Sequence, residues 1–180
     1  PGLGGKVMAE LGVNVQVLPG GEIYLALDRG AIDAAEFVGP YDDEKLGLQN
    51  AATYYYYPGW WEPGATLDAT VNLAAWNSLP AEYQEVFKTA TYESNINMLA
   101  KYDALNGAAL KTLVDGGTEL VAYSDEILTA ANEATTELLE SSASSDATFK
   151  EVYDSWKQFR DDVRGWNKVN ELGFSQFANK

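Results

Sequence analysis

The first forty residues alternate short helix-forming and strand-forming stretches, and this alternation restricts the fold more than any other feature of the chain. Residues 6–11 have a short helical pattern, and the β-branched apolar run at 13–18 reads as a strand. Pro19-Gly20-Gly21 breaks it. Ile23, Leu25, Ala26 and Leu27 then suit a helix ending at Gly30, and residues 31–38 read as a second strand closed by Gly39-Pro40. Helix and strand exchanging at such short spacing predict an α/β fold, with a parallel or mixed sheet covered by helices.

Further along, Asp42-Asp43-Glu44 places carboxylates where they complement the dipole of a new helix. The aromatic string Tyr54-Tyr55-Tyr56-Tyr57-Pro58-Gly59-Trp60-Trp61-Glu62 follows, and residues 66–72 regain strand composition. Pro80 opens a long helix of about 80–115, whose patchy apolar face runs from Tyr83 through Tyr102 to Leu113 before Gly116-Gly117 stops it. Residues 118–123 form a short strand, and Ser124 caps a helix with Asp125 and Glu126 in its first turn. Residues 141–145 read as a polar serine loop. The last helix carries Phe149, Val152, Trp156, Phe159, Val163 and Trp166, a heptad seam that Gly173 would end. These patterns divide the chain into an α/β portion over 1–123 and a helical region over 124–180, with a candidate dimerisation helix at 148–170.

Composition removes several functions. The 180 residues are 46% apolar, enough for a core, and carry a formal charge of −15. Such an acidic surface repels phosphate backbones, so nucleic acid is excluded as a partner. With no Cys and no His, the chain has no thiol or imidazole for nucleophilic catalysis or for the usual zinc and haem ligand sets. No apolar run reaches the roughly 18 residues of a membrane span. The opening at Pro1, without Met, reads as the interior of a longer protein. Gly2-Leu3-Gly4-Gly5-Lys6 lacks the Walker spacing, so it reads as a turn into a helix and not as a phosphate loop.

Two acids stand out. Glu36 lies at the carboxyl end of the second strand, where ligands of open α/β sheets gather. Glu62 is held between two tryptophans and Pro63-Gly64. Together they suit a hard cation, which prefers oxygen ligands. They equally suit a glycosidase-type acid/base pair, which needs two carboxylates at a set separation. The Tyr54–Tyr57 and Trp60-Trp61 cluster is either buried packing or the wall of a ligand pocket, and Tyr24 and Tyr41 have the same two readings. Asp161-Asp162 reads as a solvated face.

Three strings carry a resemblance. Pro19-Gly20-Gly21-Glu22-Ile23-Tyr24 with Ile32-Asp33-Ala34, then Glu36-Phe37-Val38-Gly39-Pro40-Tyr41-Asp42-Asp43-Glu44-Lys45-Leu46-Gly47, then Tyr54 to Glu62, are similar to the solute receptors of TRAP transporters, DctP type. The branch they resemble includes receptors for 2-oxo acids and lactate. The resemblance implies the C-terminal portion of a two-lobed, type II periplasmic-binding-protein-like fold. Such a receptor closes on a small carboxylate and hands it to a membrane permease, working in the periplasm and not as an enzyme. It further implies a bound Na⁺ or Ca²⁺ held by the Glu36 side chain, the Phe37 carbonyl and the Glu62 side chain; Tyr24 and Trp61 are the aromatic candidates to border the ligand. The family often has Trp where Phe37 stands, a change that a backbone ligand survives. The arginine that clamps the substrate carboxylate precedes the Gly-rich turn in these receptors and is absent here; Arg29, Arg160 and Arg164 are not its equivalents. Some members swap a helical tail to form a dimer, a role that suits the 149–166 seam. A carboxylate-pair hydrolase and a dimeric interaction protein with a degenerate pocket are the alternatives.

Overall fold

A computed structural model describes residues 2–64 and 66–180; Pro1, where the sequence reads as an internal start, lies outside them. The chain forms two compact units, one of Pro1–Gln16 with Asp125–Lys180 and the other of Val17–Ser124.

The second unit contains the sheet. Strand β1 (Tyr54–Tyr57) pairs in parallel with β2 (Glu119–Ala122), in the register Tyr54 opposite Glu119 and Tyr57 opposite Ala122. The ladder is extended at both ends: the Glu119 N–H donates to Thr53 O at 2.9 Å and the Tyr123 N–H to Tyr57 O at 2.8 Å. Parallel strands need a crossover. Here it is made by two helices, one at Leu73–Ser78 and one of 35 residues at Ala81–Asp115. With α1 (Leu3–Glu10), α2 (Gly20–Asp28) and α3 (Pro40–Leu46) preceding them, these are α4 and α5. Asn72 caps α4 by accepting the Ala75 N–H, and Pro80 is the N-cap of α5. The C-terminal half of α5 buries Ala109 and Leu113, whereas Tyr83, Val86, Tyr92 and Ile96 in its first half are exposed. The helix α3 packs against α5. Asn106 of α5 accepts the Tyr41 N–H at 3.0 Å, and the Tyr41 and Tyr102 rings meet edge to face.

Three expected strands are missing. Residues 13–18, 31–38 and 66–72 have β-forming composition but belong to no ladder among the described residues. A strand exists only through its hydrogen-bonded neighbours, and β propensity expresses fit to a half-covered pleated surface. Val13, Val15 and Val17 have no such cover and stay exposed.

The first unit is helical: α1 packs on α6 (Asp125–Ser145), α6 on α7 (Ala147–Val169), and α7 on α8 (Glu171–Ala178). Val7 at 1% exposure, Ala131, Ala143 and Tyr153 form its core. Residues 141–145 belong to α6 and are not the expected loop. Their hydroxyls bond back into the helix, Ser142 to Leu138 O at 2.8 Å and Ser145 to Ser142 O at 3.0 Å, so they do not compete with its backbone. The turn is the single residue Asp146, whose carboxylate accepts the Thr148 and Phe149 N–H groups at 2.8 and 2.9 Å. Across the hairpin Glu140 accepts from Tyr153 Oη at 3.2 Å and from Lys157 Nζ at 2.6 Å. The Lys157 ammonium holds the Glu140 carboxyl below its ordinary range.

The last helix does not end at Gly173. The break falls at Asn170, and Gly173 lies inside α8. A Cβ at Gly173 would sit 3.0 Å from Lys168 O, so glycine allows α8 to start close against the end of α7. The heptad residues are largely uncovered: Val152 is 66%, Phe159 67% and Trp166 62% exposed. The buried contact of α7 with α6 is made by Tyr153, which lies beside that seam.

Candidate cation and carboxylate site

The site lies in the Val17–Ser124 unit and has two arms. The first is the segment after α2. Gly20 opens that helix because a Cβ there would meet the Phe37 ring at 3.2 Å, and glycine lets the ring rest on the helix start. Tyr24 follows one turn later on the same face, half-buried. With Phe37 seated, Glu36 stands beside it, exposed overall but with its carboxyl partly withdrawn from solvent. Pro40 begins α3, and the Asp42 and Asp43 N–H groups both donate to Gly39 O, at 3.1 and 2.9 Å. Asp43 is 7% exposed, and its two oxygens are both engaged. Oδ1 accepts the Val38 N–H at 3.4 Å, and Oδ2 accepts the Tyr55 hydroxyl at 2.5 Å.

The second arm leaves the carboxyl end of β1. After Tyr57 the chain passes a cis peptide to Pro58 and reaches Trp60 and Trp61, whose rings stack at 4.1 Å. Trp61 also meets Tyr123 edge to face at 6.2 Å, and Tyr123 lies against Tyr56 at 5.3 Å. Tyr123 follows β2 directly, so the sheet fixes the aromatic post on which the Glu62 segment rests. Trp60 Nε1–H is buried with no acceptor among the described residues. An orphaned buried donor costs about 1–3 kcal/mol, which a ligand oxygen would recover.

Electrostatics link the arms. The Glu36 carboxyl is pushed above its ordinary range first by burial, then by the Glu62 carboxylate, then by Asp43. Every influence on Glu36 therefore opposes its ionised form. Asp43 is also pushed up, because burial outweighs the hydrogen bonds from Tyr55 and from the backbone at Val38 and Gly39. Burial, followed by the neighbouring Asp43, raises the Tyr55 phenol. A carboxyl whose ionisation is opposed by neighbouring carboxylates is relieved by a cation, and the donors at hand are hard oxygens that suit Ca²⁺ or Na⁺. Among the described residues no three acidic side chains are grouped closely enough to hold a metal by themselves. A cation here needs oxygens beyond side chains, such as the Phe37 carbonyl and the ligand's own.

The Glu62 carboxylate thus acts on Glu36, Phe37 adjoins Glu36, and Trp61 adjoins Glu62. Tyr24 shares a helix face with Gly20, on which Phe37 rests. The sequence reading missed three supports. Asp43 reads as a dipole-complementing first-turn acid, although its burial makes it a structural anchor. Tyr55 reads only as one of four tyrosines, and Tyr123 only as the end of a strand. The signal for Tyr55 was available in the alternation of side chains along β1, which turns it away from Tyr54 and Tyr56. Arg160 pairs with Asp161 and lies over the Trp156 ring, in the other unit.

Comparison with known proteins gives a consistent result. Residues 1–146 match DctP, the bacterial extracellular solute-binding protein family 7. The chain is 68% identical over 179 residues to a monocarboxylate 2-oxoacid-binding periplasmic protein of Nostoc sp., covering 99% of this chain and 49% of that protein. It also superposes on a TRAP transporter solute-binding protein from Bordetella bronchiseptica with a TM-score of 0.94 and 43% identity, covering 97% of this chain and 52% of that one. That protein crystallised as a mixed-occupancy dimer with calcium and picolinate in its occupied site. A TRAP periplasmic solute-binding protein from Colwellia psychrerythraea, with calcium and pyruvate bound, gives 0.92 and 32% identity, covering 98% of this chain and 54% of that one. The likeness extends through the helical region, and it gives the chain the fold of one portion of a periplasmic binding protein. The chain spans about half the length of the curated relative it matches. It belongs to the DctP family of bacterial extracellular solute-binding proteins.

Proposed function

We propose that the chain supplies the cation-binding face of an extracytoplasmic TRAP solute receptor for a small 2-oxo or 2-hydroxy monocarboxylate such as pyruvate or lactate. Glu36 and Glu62 bind Ca²⁺ or Na⁺ through their side chains and Phe37 through its carbonyl, and Tyr24 and Trp61 border the ligand. The cation cancels the repulsion at Glu36 and turns an acidic surface into one that accepts an organic anion. The observation that carries this reading is that Glu62, on the arm that leaves β1, opposes the ionisation of Glu36, on the arm that follows α2. The ligands of the relatives support it, since they bind a monocarboxylate or picolinate, in two cases with calcium. Glu36 and Glu62 then act as ligands and not as an acid/base pair, and the receptor returns its solute unchanged to a membrane permease from the periplasm. The exposed aromatic seam of α7 is the surface through which the chain forms a homodimer; the Bordetella relative also crystallised as a dimer.

The test is calorimetry of pyruvate into the full-length protein, first with calcium and then after exhaustive chelation in sodium-free buffer. Binding should be lost on chelation and restored by adding either ion. Equal affinity without any metal would refute the cation-bridged reading.

A further inference from the structure

We propose that Asp43 is a positioning residue that aims the Phe37 carbonyl at the cation; this deepens the proposed site and rests on it. The Phe37 carbonyl and the Val38 N–H belong to one peptide unit. That unit is trans, since the cis peptide among the described residues is Tyr57–Pro58. In a trans peptide the C=O and N–H point in opposite directions from one rigid plane. Whatever holds the N–H therefore sets the direction of the carbonyl. Here the holder is a carboxylate: Asp43 Oδ1 accepts the Val38 N–H.

A negative acceptor on an amide N–H also polarises the amide and makes its oxygen a better donor to a metal, as outer partners of metal ligands generally do. Asp43 can do this only if it does not rotate. Its burial, its position in the first turn of α3 and the Tyr55 hydroxyl on Oδ2 remove that freedom. Tyr55 belongs to β1, the strand whose end leads to Glu62. One carboxylate thus connects the peptide that presents a backbone ligand to the strand that presents a side-chain ligand. Without it the two arms keep their ligands but lose their spacing.

Two readouts separate orientation from charge. Phe37–Val38 is the only Phe-Val pair in the sequence, so ¹³C-carbonyl Phe with ¹⁵N-Val labelling of the 180-residue chain gives one HNCO signal. In cation-free protein the Val38 amide proton should lie downfield and should move upfield in Asp43→Ala. Terbium, a luminescent stand-in for calcium excited through the adjacent tryptophans, should bind Asp43→Ala about 10- to 100-fold more weakly. Asp43→Asn keeps an acceptor for Val38 without the charge, and it should retain the downfield amide and most of the affinity. Tyr55→Phe keeps the charge but frees the carboxylate, and an intermediate loss is expected; this variant serves if Asp43→Ala does not fold. Unchanged affinity in both Asp43→Ala and Tyr55→Phe overturns the proposal, as does an Asn variant as weak as the Ala variant. Wild-type chain that binds no terbium overturns the receptor reading and this role with it. Wild-type binding with unaffected variants overturns this role alone.

Discussion

In the full-length protein, Glu62→Ala should lose about two decades of affinity for pyruvate in calcium buffer, measured calorimetrically. Once cation and anion cover Glu62, removing this partner of the charged contact costs about 2–5 kcal/mol, and 2.7 kcal/mol corresponds to a hundredfold in Kd. The loss has a second signature. With Glu62 gone, one of the influences opposing Glu36 ionisation disappears, so the remaining site has less need of a cation and pyruvate affinity should depend less on calcium. Glu62→Gln, which keeps a neutral oxygen donor, should fall between the two. Glu62 is exposed and caps no helix, so the substitution should leave the melting temperature unchanged within error. Full pyruvate affinity in Glu62→Ala, with undiminished calcium dependence, would remove Glu62 from the site.

The second large effect is expected at Trp156. This ring stacks on Tyr153 at 5.7 Å, lies under the Arg160 guanidinium and is 46% exposed, at the centre of the uncovered seam of α7. In a two-fold dimer every substitution is made twice across the same interface. A central aromatic anchor is worth about 2 kcal/mol or more, so Trp156→Asp should cost about 4 kcal/mol, roughly three decades in the dimer dissociation constant. Sedimentation velocity at micromolar concentration should show a dimer for the wild type and a monomer for the variant. Tyr153 and the Glu140–Lys157 pair remain in place to hold α6 to α7, so the monomer should keep its helical circular dichroism. A variant that sediments as an unchanged dimer would show that the seam is not the interface.

The helices were the most legible part of the chain because each carries its own signals. Pro80 and Gly116 bracket α5, and Asp125 and Glu126 open α6, within a residue or two of the observed ends. Strands carry no such autonomy. The valines at 13–17 have the composition of a strand, but strand formation depends on a neighbour that composition does not specify. The four tyrosines of β1 and residues 119–122 became strands because each found the other. Serine and glycine misled in opposite ways. Ser142 and Ser145 bond to carbonyls a turn back and stay helical, whereas Gly173 serves close packing while Asn170 makes the break.

The site divides along the same line. Glu36 and Glu62 are recognisable because a carboxylate beside stiff aromatic and proline neighbours is unusual, and the resemblance assigns them a shared role. Their electrostatic proximity, however, is a tertiary fact that neither position announces. Asp43 shows the limit most clearly. In sequence it is one of three acids at a helix start, and only its burial and the Val38 and Tyr55 contacts distinguish it from Asp42.

The central claim is that two glutamates from separate arms share one hard ion beneath an organic anion. The most direct measurement is an anomalous difference map from crystals of the full-length protein grown with terbium and pyruvate. The account predicts one strong peak about 2.3–2.6 Å from oxygens of Glu36, of Glu62 and of the Phe37 carbonyl, with a pyruvate oxygen completing the shell. A peak that touches only one glutamate, or pyruvate bound in a cavity away from both, would contradict it.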